Sequence, residues 1–311
     1  MNNIPVDKSE SNYPVERRYF LATSLKAAGV SALMSLPGMA FSKNFFAESN
    51  EYTVQDVINI ILKEIPGAPF KQTVDTIKSG SADEKVTGIV TTMFATIKVI
   101  EETAKLNANF IIAHEPTFYN HTDDINWVAP NDLVKQKQAL LQKNSITIWR
   151  FHDYWHSYRP DGISYGILKA AGWLPYYRPG EAILIMPPAS LKDIIVHLKK
   201  SLGISHVKLI GDLSQVCERI ALIPGAAGGQ MQISLVEKQK PDTLIVGEVH
   251  EWETAEYIRD ARSMGSKTSL IILGHAVSEE PGMEWLVEWL QPKVPGIKIT
   301  HISSGDPYTW I

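Results

Sequence analysis

Two segments of this chain repeat one pattern: Asn109-Phe110-Ile111-Ile112-Ala113-His114-Glu115 and Ser269-Leu270-Ile271-Ile272-Leu273-Gly274-His275. Each is a short apolar run of the kind that forms a buried strand, and each delivers a histidine at its carboxyl end. Ligand sites in open α/β sheets lie at such ends. Two of them meeting at one cleft would pool their polar side chains there.

The remaining pattern alternates in the same way. Val54, Val57, Ile58, Ile61 and Leu62 mark a helical stripe. Residues 86–92, 109–113 and 146–150 read as strands, and 94–106, 132–143 and 163–171 as helices. A second series comes next, with strands at 182–186, 207–210, 219–223, 243–246 and 269–273. Its helices are expected at 191–202, after the glycine-rich turn 225–229, and at 253–264; a helix at 278–290 and a strand at 297–301 close the chain. Strands alternating with helices predict an α/β fold. We expect two similar lobes of mixed sheet with packed helices and a metal site in the cleft between them. The first lobe is expected over 53–175, joined by 268–311, and the second over 176–267.

The first fifty residues read differently. After a polar stretch comes Glu16-Arg17-Arg18-Tyr19-Phe20-Leu21, a twin arginine followed by an aromatic and a leucine, and then a mildly apolar stretch broken by Gly29, Pro37 and Gly38. That layout predicts a twin-arginine-type export signal over 1–42, with Ala40-Phe41-Ser42 as cleavage site and 43–52 as linker. An uncleaved anchor or a plain tail is the other reading of the same stretch. Export as a folded protein would place the mature chain in the periplasm or another extracytoplasmic space, with no stable membrane span after signal removal.

Composition narrows the chemistry. Cys217 is the only cysteine, which excludes an intrachain disulfide and a thiolate cluster. A metal site must then use imidazole and carboxylate, which suits Zn, Fe, Mn, Ni or Co. The net charge of −4 and the lack of a Lys/Arg stripe disfavour a nucleic-acid partner.

The nine histidines are unevenly placed. His114 and Glu115 are adjacent after a strand; His152 and His156 are four apart, as are His275 and Glu279. A spacing of four puts both side chains on one face of a helical turn, where both can grip one cation. Alternatives stay open at several of these positions. His275 and Glu279 also suit a surface helix start capped by Ser278. His152 also suits a satisfied core position. Glu248 and His250 are candidate proton carriers, or caps of the helix near Glu253. Gly225–Gly229 could cradle a phosphate with backbone amides, although a tight strand-to-helix connection is the favoured reading. The eight tryptophans, Trp127, Trp149, Trp155 and Trp173 among them, read as core or interface residues.

The segment Gly274-His275-Ala276-Val277-Ser278-Glu279, the histidine at the end of an early strand, Gly228-Gly229, Gly247-Glu248 and the near-terminal Asp306-Pro307-Tyr308 resemble the NIF-three-like dinuclear-metal family, also described as GTP cyclohydrolase type-two homologues. The resemblance runs from Val54 to the C-terminus. It implies two divalent ions held by two consecutive histidines, the aspartate of a His-x-x-x-Asp segment, and the closing His and Glu. Carried over, these positions are His114, Glu115, His156 (reached through His152), His275 and Glu279. Glu115 thus stands for a histidine and His156 for an aspartate. The exchanges compensate, leaving three imidazoles and two carboxylates. The resemblance further implies a ring-shaped homohexamer and a small-molecule substrate. A metal-dependent hydrolase of a nucleotide-like small molecule is the leading expectation, and a non-catalytic metal-binding or scaffold protein its rival.

Overall fold

The computed structural model describes residues 51–311. The signal expected over 1–42 and nearly all of the linker expected over 43–52 lie outside the described residues. Helix α1 (Val54–Leu62) opens on a capping box, in which the Asp56 amide donates to the Thr53 hydroxyl and the Thr53 amide to the Asp56 carboxylate. Its apolar stripe buries Val54, Val57, Ile58 and Ile61.

The chain then runs through β1 (Ile77–Ser79), β2 (Ile89–Thr92), α2 (Ile97–Lys105), β3 (Phe110–Ala113), α3 (Asp132–Lys143), β4 (Thr147–Arg150), α4 (Asp153–Ser157) and α5 (Gly162–Ala170). A second series comprises β5 (Ile183–Ser190), α6 (Leu191–Ser201), β6 (Lys208–Ile210), β7 (Val216–Ile223), α7 (Gly229–Gln239), β8 (Thr243–Val246), α8 (Glu256–Ser263) and β9 (Ser269–Ile272). Helix α9 (His275–Leu290) and β10 (Ile299–His301) finish the fold.

Two five-stranded mixed sheets result, ordered β1-β4-β3-β2-β10 and β5-β7-β8-β9-β6. In the first, β4, β3, β2 and β10 are parallel and only β1 is antiparallel. In the second, β7, β8 and β9 are parallel between antiparallel edges. The central strands β2, β3, β4 and β8 are buried at every position, which is why none of them shows the apolar-polar alternation of a half-exposed strand. Parallel register brings Thr92, Ala113 and Arg150 level in one sheet, and Ile223, Val246 and Ile272 near one rim of the other. The loops that carry chemistry therefore leave from shared carboxyl edges.

Several details differ from the sequence reading. Strand β9 pairs with β8 and β6, so the chain leaves the second sheet after Ile272, not before residue 268. Strand β5 continues through Pro187 and Pro188 to Ser190, which its edge position allows because no second neighbour needs the missing amides. The short β1 and α4 have too few residues to show a period. A π-type turn, Glu251–Ala255, precedes α8 where one continuous helix was expected.

The core surrounds the first sheet and α9. Trp149, Phe151 and Trp155 are buried there, while Trp173 is buried among the residues packed on the second sheet. Trp127 is exposed and belongs to no core cluster. Helices α5 and α9 cross so closely that a Cβ on Gly166 would strike the backbone of Pro281 and Gly282. Among the described residues no helix is long and apolar enough to cross a membrane.

Candidate metal centre

His114 and Glu115 continue beside β2 past the end of β3, the His114 amide donating to Thr92 O (3.1 Å) and the Glu115 amide to Met93 O (2.9 Å). Both side chains are buried. His152 precedes α4 at its N-cap and His156 lies in its last turn, in a helix too short to persist alone. Two groups hold it. The buried Asp75 carboxylate accepts the amides of His152, Asp153 and Tyr154 at 2.8–3.0 Å. Fully buried Trp155, tilted against Phe151 and stacked on Trp285, anchors the helix from the core.

From the second sheet, Gly274 at φ +105° turns the chain from β9 directly into α9. His275 is the first residue of that helix, and Glu279 lies one turn on, on the same face. The expected cap at Ser278 is absent: its hydroxyl donates to His275 O (2.8 Å) and accepts the Gly225 amide (2.9 Å).

The two sets converge. His114 Nε2 lies 3.6 Å from Glu279 Oε2, His275 Nε2 lies 3.1 Å from Glu279 and 3.5 Å from Glu115, and His152 Nε2 lies 3.7 Å from Glu115. Two groups could hold a metal ion, His114–His152–His156 and His114–Glu115–Glu279, each with donor atoms within 4.8 Å of one another. A third, Asp75–His152–Asp153, meets the same test, but its Asp75 is occupied by the α4 amides.

Electrostatics differ sharply across the cluster. Burial, and then the charges of His156 and His152, hold His114 well below the ordinary imidazole value. Burial also depresses His152. Burial opposes charge on His275 too, but hydrogen bonds to Glu115, Glu248 and Glu279 outweigh it and push it up to about 12. Glu115 is held down at about 2, its burial offset by His275 and the neighbouring imidazoles. Burial raises Glu279.

Glu248 joins the site as a support: its carboxylate meets His275 Nδ1 at 3.2 Å, an interaction that lowers its own pKa. His250 does not join it, pairing instead with Glu253 (3.3 Å) and stacking on exposed Trp252. The Gly225–Gly229 turn is no open phosphate cradle. Its Gly229 amide is already taken by Glu253, and a Cβ on Gly225 would run into the Glu279 carboxylate. Gly225 leaves the space that Glu279 occupies, and Gly229 the space that Glu253 occupies.

Sequence reasoning missed Arg150, fully buried at the end of β4. Its guanidinium donates to His114 O (3.1 Å) and to His121 O, and pairs with Glu115 (3.5 Å) and Asp123 (3.6 Å). Asp161, Asp153 and Asp75 were missed as well. Only Asp153, beside His152 in the sequence, left a local signal.

The residues present fit a bound cation. His114 Nε2 is buried with no hydrogen-bond partner, and nitrogen and carboxylate donors surround it. A model of the Duf34/NIF3 (NGG1p interacting factor 3) family matches residues 52–307. The chain belongs to the DUF34/NIF3 family. A curated relative from Clostridium perfringens, named GTP cyclohydrolase 1 type 2 homolog, is 25% identical over 273 residues, covering 83% of this chain and 99% of the relative. Staphylococcus aureus protein SA1388 superposes with a TM-score of 0.66 at 18% identity, covering 84% of this chain and 99% of that one. A Bacillus cereus protein related to NIF3 gives 0.66 at 14% identity, with the same shares covered. These two establish the likeness of fold, and the DUF34/NIF3 assignment itself rests on the family match.

Proposed function

We propose that this chain is a dinuclear-metal-dependent hydrolase of a small, nucleotide-like molecule. The observation that carries the reading is the convergence of His114, Glu115, His152, His156, His275 and Glu279 from two sheets around an imidazole nitrogen left without a partner. Ion pairs within the set and with Arg150 offset part of its desolvation, but they leave His114 Nε2 without a partner, a gap that a cation would fill. A pair of bound ions supplies an acidified water and a clamp for an oxyanion. The protein's own part is orientation. Glu248 holds His275 through Nδ1, Arg150 holds Glu115 and the His114 carbonyl, and Asp75 fixes the helix bearing His152 and His156. The name of the C. perfringens relative supports a nucleotide-like substrate.

Metal analysis of the purified protein, followed by a panel of hydrolytic substrates with and without chelator, tests this. Turnover that disappears with chelator and returns with metal is expected. Bound metal without turnover would replace the reading by a metal-binding scaffold. Glu279→Gln keeps the shape but removes a charge, and should weaken at least one ion.

Two further proposals rest on sequence and family. We propose export through Arg17-Arg18; changing both to lysine should retain the protein in the cytoplasm. We also propose a homohexamer, which light scattering showing a stable monomer at micromolar concentration would refute.

A further inference from the structure

The imidazoles of the cluster are not supported alike. His114 Nδ1 meets Phe151 O at 3.0 Å, His152 Nδ1 meets an Asp153 oxygen at 2.9 Å, and His156 Nδ1 meets an Asp161 oxygen at 2.9 Å. Each outer nitrogen thus faces an acceptor, which places a proton on Nδ1 and, in the neutral ring, leaves the Nε2 lone pair free. Among the described residues none of the three Nε2 atoms makes a hydrogen bond, and the three rings pack with centroids 4.8–5.0 Å apart. His275 is the opposite case, with Nδ1 on Glu248 and Nε2 on Glu279.

We propose that His114, His152 and His156 form a preorganised three-imidazole position that takes one zinc-class ion first and independently of a weaker second position at Glu115, His275 and Glu279. This rests on the metal-dependent reading above and refines it. Three ligands whose tautomers are already fixed need no rearrangement to bind, and three nitrogen donors suit zinc with coordination left over for water. At the second position His275 must first give up its Nε2 contact with Glu279. His114 Nε2 lies within reach of both groups, but one lone pair serves one ion, and the trio is where its ring packs directly against the other two imidazoles.

Asp161→Asn gives the sharpest test. Asp161 does two things: one oxygen caps α5 through the Ser164 amide (2.8 Å), and the other faces His156. Asparagine keeps the cap with its oxygen and turns its NH2 toward His156 Nδ1. That forces the proton onto Nε2, the atom that must ligate. Asp153→Asn, which acts on His152, serves as the second variant. Zinc is titrated calorimetrically into the metal-free full chain, and cobalt by its visible absorption.

The parent should bind one equivalent tightly and a second more weakly. Asp161→Asn and Asp153→Asn should each weaken the first by about 10–100-fold, the usual effect of losing such a partner, with thermal unfolding of the metal-free chain unchanged. His275→Ala should lose only the second equivalent and keep the cobalt spectrum of the first. Two equivalents of equal affinity, loss of the first in His275→Ala, or an unshifted first affinity in both aspartate variants would overturn the inference while leaving a metal-dependent hydrolase standing. Failure of the parent to bind zinc or cobalt would overturn both.

Discussion

Strands β3 and β9 each hand a histidine to one cluster, yet the two imidazoles are in opposite situations. His114 is fully buried, is held well below the ordinary imidazole value by burial and neighbouring histidines, and keeps Nε2 unpartnered. His275 is partly exposed, is surrounded by three carboxylates that push it up to about 12 against its burial, and uses both nitrogens. The difference arises in the residues just beyond each strand. After β3 the chain bends at His114 and the adjacent Glu115, whose amides still bond alongside β2. After β9, Gly274 turns it into a helix, which sets Glu279 one turn away on the same face. A shared sequence pattern thus yields one imidazole with a nitrogen left open toward the cluster and one with both nitrogens already engaged by carboxylates.

Breaking the His114 side through its buried support should have the largest effect. Arg150→Met leaves Glu115 and Asp123 buried without their guanidinium, although Lys78 still pairs with Asp123 at 3.4 Å. A loss of about 3–5 kcal/mol is expected from denaturant unfolding of the metal-free chain. A loss below about 1 kcal/mol would mean that Arg150 does not organise this side.

The His275 side has a different weak point. Gly225 sits at φ +69° with the Glu279 carboxylate where a Cβ would be. Gly225→Ala should cost about 1–3 kcal/mol in backbone strain and displace Glu279. The second equivalent of zinc in a calorimetric titration should then weaken more than the first. Equal weakening of both would erase the distinction between the two sides.

Within any one pH unit the smallest effects lie in pH dependence, where the two histidines should act with opposite sign in the metal-free protein. His114, depressed in the fold, contributes stability that is present above the unfolded value of 6.5 and lost as pH falls below it. His275, raised in the fold, contributes stability that is full below 6.5 and fades as pH climbs toward about 12. His114→Gln should therefore flatten the acid limb of a plot of unfolding free energy against pH, and His275→Gln the alkaline limb. Either change is bounded by about 1.4 kcal/mol per pH unit for one proton. A pair of variants that flatten the same limb would contradict the assignment.

The sequence alone determined the alternation of strands and helices, the buried central strands and the pairs His114-Glu115, His152/His156 and His275/Glu279. These signals are local: an apolar run, a spacing of four, a glycine after a strand. The link between strand ends and ligands was legible for the same reason, since a parallel strand buried on both faces must present its polar residues beyond its carboxyl end. Only the tertiary structure decided that Asp75, 77 residues before His152, caps its helix, that Arg150 points at Glu115, and that the glycines at 225–229 make room for Glu279 and Glu253. It also separated Glu248, which supports His275, from His250, which turns to Glu253. Those partners are distant in the chain and carry no periodicity. What selects them is the cost of leaving a buried charge or imidazole nitrogen unmatched, a cost avoided at these positions but not at His114 Nε2, and one that arises only once the two sheets are packed together.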